Sequence, residues 1–146
     1  MGVNFYSDGF AHDLHGTLVV SREIEASLVT LHDLAQAMSS NPHCAINSLD
    51  LSCNFIEDRG INPLSSALAK LPKGIHHMNL SYCTLTGKGV YNLMQSLVVN
   101  RSTATTLTYL NLQGNCLKEE ASVQALCSFL AQPNVVAILD VSRSGH

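Results

Sequence analysis

The segment Ile46-Asn-Ser-Leu49-Asp-Leu51-Ser-Cys-Asn54-Phe-Ile56 decides the fold, because its pattern returns along the chain. It recurs as Ile75-His-His-Met78-Asn-Leu80-Ser-Tyr-Cys83-Thr-Leu85 and as Leu107-Thr-Tyr-Leu110-Asn-Leu112-Gln-Gly-Asn115-Cys-Leu117. A fourth copy runs Val136-Ala-Ile-Leu139-Asp-Val141 before the sequence stops. Apolar residues two apart, such as Leu49 and Leu51, share one face of a strand, and the small polar residues between them take the other. Asn54, Cys83 and Asn115 share one column just past the strand, where a side-chain donor can satisfy backbone groups of adjacent turns.

Each copy fits the template L-x-x-L-x-L-x-x-N/C-x-L of a leucine-rich repeat, the last as far as it goes. The copies start at 46, 75, 107 and 136, spacings of 29, 32 and 29 residues. Repeats that long carry a helix, and apolar residues at helical spacing follow each strand: Leu64, Leu68 and Leu71; Val90, Leu93, Met94 and Leu97; Val123, Leu126, Phe129 and Leu130. Asn62 before Pro63 is expected to cap the first of these helices, because proline has no amide to leave unpaired in a first turn. Leu71-Pro72 and Gln132-Pro133 are expected to stop the first and the third of them. An earlier helix carries Leu28, Leu31, Leu34, Ala35 and Met38 and ends at Asn41-Pro42. Residues 1–26 read as an atypical leader with a degenerate strand near Leu18–Val20, and residues 27–146 as the repeat domain.

The expected fold is therefore an α/β solenoid. Strands stacked at about 4.8 Å, backed by helices about twice as thick, bend the sheet into an arc with the parallel strands inside and the helices outside.

Composition narrows the function. The 146 residues are 46% hydrophobic and 13% charged, enough apolar material for one packed domain. Eleven acids against eight Lys and Arg leave a formal charge of -3, which offers no basic field for nucleic acid or an anionic membrane. No apolar run approaches the roughly 18 residues of a membrane span, and the first residues lack the pattern of a secretory signal. Five cysteines without a Cys-x-x-Cys spacing fit a reducing cytosol better than a disulfide framework or a zinc clamp.

The helix-bearing repeat resembles the ribonuclease-inhibitor type. The words between the strands carry a closer resemblance: Asn54-Phe-Ile-Glu-Asp-Arg-Gly60, Leu68-Ala-Lys-Leu-Pro-Lys-Gly74, Met78-Asn-Leu-Ser81, Gly87-Lys-Gly-Val90, Thr103-Ala-Thr-Thr-Leu107 and Phe129-Leu-Ala-Gln-Pro-Asn134. In this order they are similar to the capping protein, Arp2/3 and myosin-I linker family, CARMIL. The similarity extends from about Leu31 to Ser142, roughly three quarters of the chain. It implies a cytoplasmic, cytoskeleton-associated regulator of actin filament assembly, acting on capping protein in lamellipodia and cell migration, at the plasma membrane and leading edge. In that family a basic tail binds actin capping protein. Only four prolines and no dense basic run occur here, so the resemblance does not bring capping-protein binding to these residues. Residues Met1 to about Ala26 depart from the family, and the stop inside a repeat is expected to mark a fragment or truncated form. Innate immune sensors, ribonuclease inhibitor and GTPase-activating proteins on the same repeats are the alternatives. The last of these would need a catalytic loop arginine, for which Arg59 and Arg101 are the candidates.

The residues give no enzyme signature. His76 and His77 are neighbours on a strand and point to opposite faces, so they cannot hold one metal ion together. His12 and His15 lie between Gly9 and Gly16 in a segment of weak helical pattern, and His32 and His43 follow. Cys53, Cys116 and Cys127 have no evident partner histidine for nucleophilic chemistry, and no phosphate-binding glycine motif occurs. Asn79-Leu-Ser81 and Asn100-Arg-Ser102 match the glycosylation triplet by chance. No metal, cofactor or catalytic residue is expected.

What remains is the hollow of the arc. Residues between the strand leucines face it in three columns: Ser48, His77, Tyr109 and Ile138; Asp50, Asn79, Asn111 and Asp140; Ser52, Ser81, Gln113 and Ser142. This surface is polar and mildly acidic, with Tyr109 and His77 as the side chains best able to anchor a protein partner. The last strand, Val135 to Val141, would leave an open parallel edge bearing Val and Ile, and the chain alone is expected to associate.

Overall fold

A computed structural model describes residues 2–4, 15–19 and 28–145. The rest of the leader, His12 included, lies outside the described residues. Within them the elements run β1 (Gly2–Asn4), β2 (His15–Val19), α1 (Leu28–Ser40), β3 (Ala45–Asp50), α2 (Glu57–Leu68) and β4 (His77–Asn79). Then come α3 (Gly87–Val99), α4 (Thr103–Thr106), β5 (Tyr109–Asn111), α5 (Glu120–Ala131) and β6 (Ile138–Asp140). The six strands form one sheet in chain order, every neighbouring pair parallel. Strand order equal to sequence order is the topology of a solenoid, in which each unit contacts only its neighbours. It is a leucine-rich-repeat arc, strands inside and helices outside.

The register follows from the repeat. Leu49, Met78, Leu110 and Leu139 align across β3 to β6, as do Ser48, His77, Tyr109 and Ile138 on the opposite face. Leu49, Leu51, Met78, Leu80, Leu110 and Leu112 are fully buried beneath the helices, and Ile46, Ile75 and Leu107 close the core where each strand begins. From the other side come Leu31, Leu34 and Met38 of α1, Leu64 and Leu68 of α2, and Val90, Leu93, Met94 and Leu97 of α3. Each of these leucines contributes roughly 2 kcal/mol by leaving water. Gly60 admits α1 close to α2, since a Cβ there would lie 2.7 Å from a methyl of Leu31.

Three features differ from the sequence reading. Asn62 does not cap a helix: α2 begins at Glu57 and runs through Pro63. The repeat geometry dictates this, because Ile56 is anchored in the core and the chain must turn back at once, with Glu57 and Asp58 supplying the acidic first turn that a helix N-terminus favours. The Asn62 amide oxygen instead accepts a hydrogen bond from Asn92 Nδ2 at 2.9 Å, tying α2 to α3. In α5, Val123 and Leu130 are exposed, and its buried face is Ser122, Ala125 and Phe129. Finally, the degenerate strand expected near Leu18–Val20 is present as β2 but lies earlier, at His15–Val19, with a register shift between Gly16 and Thr17, and a further strand, β1, pairs beyond it.

Candidate functional site

The open face of the sheet is built by the residues that alternate with the buried leucines. The column Asp50, Asn79, Asn111 and Asp140 is in register across β3 to β6. Each of these residues ends its strand in the same way. The Oδ1 of Asp50 accepts from the Ser52 amide at 2.9 Å, that of Asn79 from the Ser81 amide at 3.1 Å, that of Asn111 from the Gln113 amide at 2.9 Å and that of Asp140 from the Ser142 amide at 2.9 Å. This is an Asx turn, repeated four times, and it sends the chain out of the sheet. Ser52 and Ser81 add hydroxyl donors to the same oxygens, at 2.6 and 2.8 Å. The Ser142 amide and hydroxyl hold the Asp140 carboxyl below its ordinary range.

In the column beside it, the rings of His77 and Tyr109 stack, with centroids 4.1 Å apart and planes 2° from parallel. Asn111 Nδ2 donates to the Tyr109 hydroxyl at 3.1 Å and fixes that ring along its own strand. His77 Nδ1 is buried without a partner, so the imidazole can meet a ligand only through Nε2 and its outer edge. Ser48, Asp50, Ser52, His77, Asn79, Tyr109 and Gln113 are half-exposed, whereas Ser81 and Asn111 are buried and serve the turn and the Tyr109 hydroxyl. Ile138 ends the first column as an exposed side chain, 56% accessible.

The Asn/Cys column lies behind this face and welds one repeat to the next. Asn115 Nδ2 donates to Leu80 O at 2.8 Å and Leu112 O at 3.1 Å, and its Oδ1 accepts from the amides of Cys83 and Leu85 at 3.1 and 3.0 Å. Cys83 can make only half of that set: its thiol reaches Leu51 O at 3.2 Å and Ser81 O at 3.5 Å. The Ile56 amide, counterpart of the Leu85 amide one repeat earlier, turns to Asn54 O at 3.0 Å. Asn54 Nδ2 donates to Leu51 O at 2.9 Å and Ser52 O at 3.2 Å. Burial pushes the Cys83 thiol up to about 12, beyond the range of a reactive nucleophile.

Two inter-repeat ties were not visible as motifs. Asn100, read as part of a chance triplet, is buried, with Nδ2 on Leu68 O at 2.8 Å and Leu71 O at 3.0 Å, which leaves its amide no room for a glycan. Asp58 of α2 receives the Thr86 amide at 2.8 Å and the Thr86 hydroxyl, so its carboxylate caps α3 from the neighbouring repeat. Among the described residues no group of three or more His, Cys, Asp or Glu could hold a metal ion, and no helix is long and apolar enough to cross a membrane. His76, His32 and His43 are exposed and apart from the stacked pair. Arg59 lies 3.6 Å from Glu57 in an exposed pair, and Arg101 is exposed.

Fold and face together define a leucine-rich-repeat protein, and residues 44–65 and 103–120 match the Leucine Rich repeat family model. Its repeats are of the CARMIL type. The chain is 36% identical over 115 residues, 79% of its length, to Protein CARMIL of Dictyostelium discoideum. It is 37% identical over 110 residues, 75% of its length, to human Capping protein, Arp2/3 and myosin-I linker protein 3. These matches cover 11% and 8% of the two relatives, so the chain spans about a tenth of the length of the curated relatives it matches. A Rho GTPase-activating protein of Dictyostelium discoideum, gacW, matches at 26% identity over 82% of the chain and 11% of its own length.

Proposed function

We propose that this chain is a non-catalytic interaction module of an actin-regulatory linker, and that its open sheet face, centred on His77 and Tyr109, is where a protein partner docks. The observation that carries this reading is the stacked His77–Tyr109 pair, two rings held rigid by register and by Asn111 on a face otherwise made of small polar side chains. Rigid aromatic anchors amid small polar neighbours are what a docking surface needs, because little side-chain entropy is lost on contact. The similarity to CARMIL proteins supports the cytoskeletal setting and a cytoplasmic location at the cell's leading edge.

The alternative of GTPase activation would rest on Arg59, which pairs with Glu57 in the first turn of α2, or on the exposed Arg101, and neither is as firmly held as the stacked rings. Proximity labelling by a biotin ligase fused to the chain tests the proposal. Proteins of actin assembly should be labelled by the native chain and lose that labelling with His77→Ser/Tyr109→Ser. Identical labelling by both forms, or labelling without actin-assembly proteins, would overturn it.

A further inference from the structure

The column Asp50, Asn79, Asn111, Asp140 does one structural job at all four positions, and two of the four do it with an amide. Asparagine serves the Asx turn as well as aspartate, so the fold does not require a charge at Asp50 or Asp140. Each Asp commits Oδ1 to the turn and keeps Oδ2. None of the twelve positions in the three open-face columns is Lys or Arg. Among the described residues, the ion pair joins Arg59 to Glu57, and neither Asp50 nor Asp140 has a cationic partner. The two carboxylates lie three strand spacings apart, about 14 Å, with the stacked rings of His77 and Tyr109 between them in the adjacent column.

Resting on the docking role proposed above, we infer that the open face takes a basic segment of a protein partner, which crosses the strands with one cationic side chain at Asp50, another at Asp140, and its middle over the His77–Tyr109 rings. In an extended chain, side chains four residues apart span about 14 Å, the separation of the two carboxylates. A guanidinium suits both surfaces, since it pairs with carboxylate oxygens and lies flat on aromatic rings. An acidic segment would be repelled at both ends. A neutral one would leave both carboxylates with less than water gives them.

The test uses the full chain, isotopically labelled for NMR, and three capped nine-residue Gly/Ser peptides carrying arginine, glutamine or glutamate at positions three and seven. The arginine peptide should shift the amide resonances around Asp50, His77, Tyr109 and Asp140, at least threefold more tightly than the glutamine peptide. Asp50→Asn and Asp140→Asn, which keep the Asx turn and hence the spectrum's dispersion, should each remove about half or more of that advantage. Raising NaCl from 50 to 500 mM should weaken the arginine peptide severalfold and leave the glutamine peptide unchanged. Equal binding of arginine and glutamine peptides on this face would overturn the basic-segment inference while leaving the docking role intact. If no peptide of any charge shifts these resonances, or the arginine peptide shifts only others, both fall.

Discussion

The ring of Tyr82 lies over the α-carbon of Gly114: a Cβ built on Gly114 would stand 2.4 Å from Cδ1 of the tyrosine. The two residues occupy the same place in consecutive repeats, just before the Asn/Cys column, and both have positive φ, 53° and 75°. Cys53 and Arg143 share that place and that conformation, at 60° and 55°. Every one of these repeats thus has a left-handed residue at this place, and Glu57 and Thr84, at 61° and 59°, add a second in the first two. At Gly114 the lack of a side chain also lets the preceding repeat's tyrosine lie down on the turn.

Gly114→Ala should therefore cost about 1–2 kcal/mol in urea unfolding, from the left-handed backbone and from displacement of the Tyr82 ring. The second part depends on the ring. With Tyr82→Ala already in place, the same substitution should cost measurably less, and a double-mutant cycle gives the difference.

The Asn/Cys column offers a complementary pair of substitutions. Asn115→Ala leaves the amides of Cys83 and Leu85 and the carbonyl of Leu80 buried without their partner, and should cost about 3 kcal/mol. Cys83→Asn restores an acceptor for the preceding turn and should stabilise by about 1 kcal/mol. Thermal or urea unfolding of the two variants checks both signs.

The cysteines should divide by burial. Cys53 and Cys127 are exposed, while Cys44 and Cys83 are buried with thiols raised above their ordinary range, chiefly by burial. Iodoacetamide at pH 8 should label Cys53 and Cys127 in the native chain and reach Cys83 only on unfolding, as read by peptide mass spectrometry. Because the folded state holds the Cys83 thiol up to about 12 against an ordinary 9.0, its contribution is complete below pH 9 and is lost as pH rises towards 12. Stability should fall across that alkaline window, and Cys83→Ser should flatten the fall.

The architecture was legible because the repeat fixes it. Leu49, Met78 and Leu110 return at the same offset, and a period-two pattern followed by a period-3.6 pattern admits strand then helix. The open-face columns were legible for the same reason, since strand alternation alone assigns Ser48, His77 and Tyr109 to one face. What eluded the sequence was contact between repeats. The cap that Asp58 places on α3 and the tie from Asn100 to Leu68 and Leu71 join residues about 30 apart, and no local spacing encodes them. Asn62-Pro63 misled for a related reason: local chemistry favours a helix start there, but the core anchor at Ile56 sets the start at Glu57, five residues before Asn62. Strand β1 is only three residues, Gly-Val-Asn, too short to carry an alternating pattern.

Actin capping protein provides a negative test of the division of labour. The open face carries carboxylates and aromatic rings, and the chain has no dense basic run, so purified capping protein should give no heat with the chain in calorimetry at tens of micromolar. Binding lost on His77→Ser/Tyr109→Ser would make capping protein itself a partner of the open face.

The most direct measurement is photocrosslinking from two single sites in cells, with benzophenone-bearing residues replacing Tyr109 on the open face and Asn92 on the outer surface of α3. A discrete crosslinked protein is expected from position 109 and none from position 92. A discrete product from position 92 alone, or none from either, would contradict the claim that the open face is the docking surface.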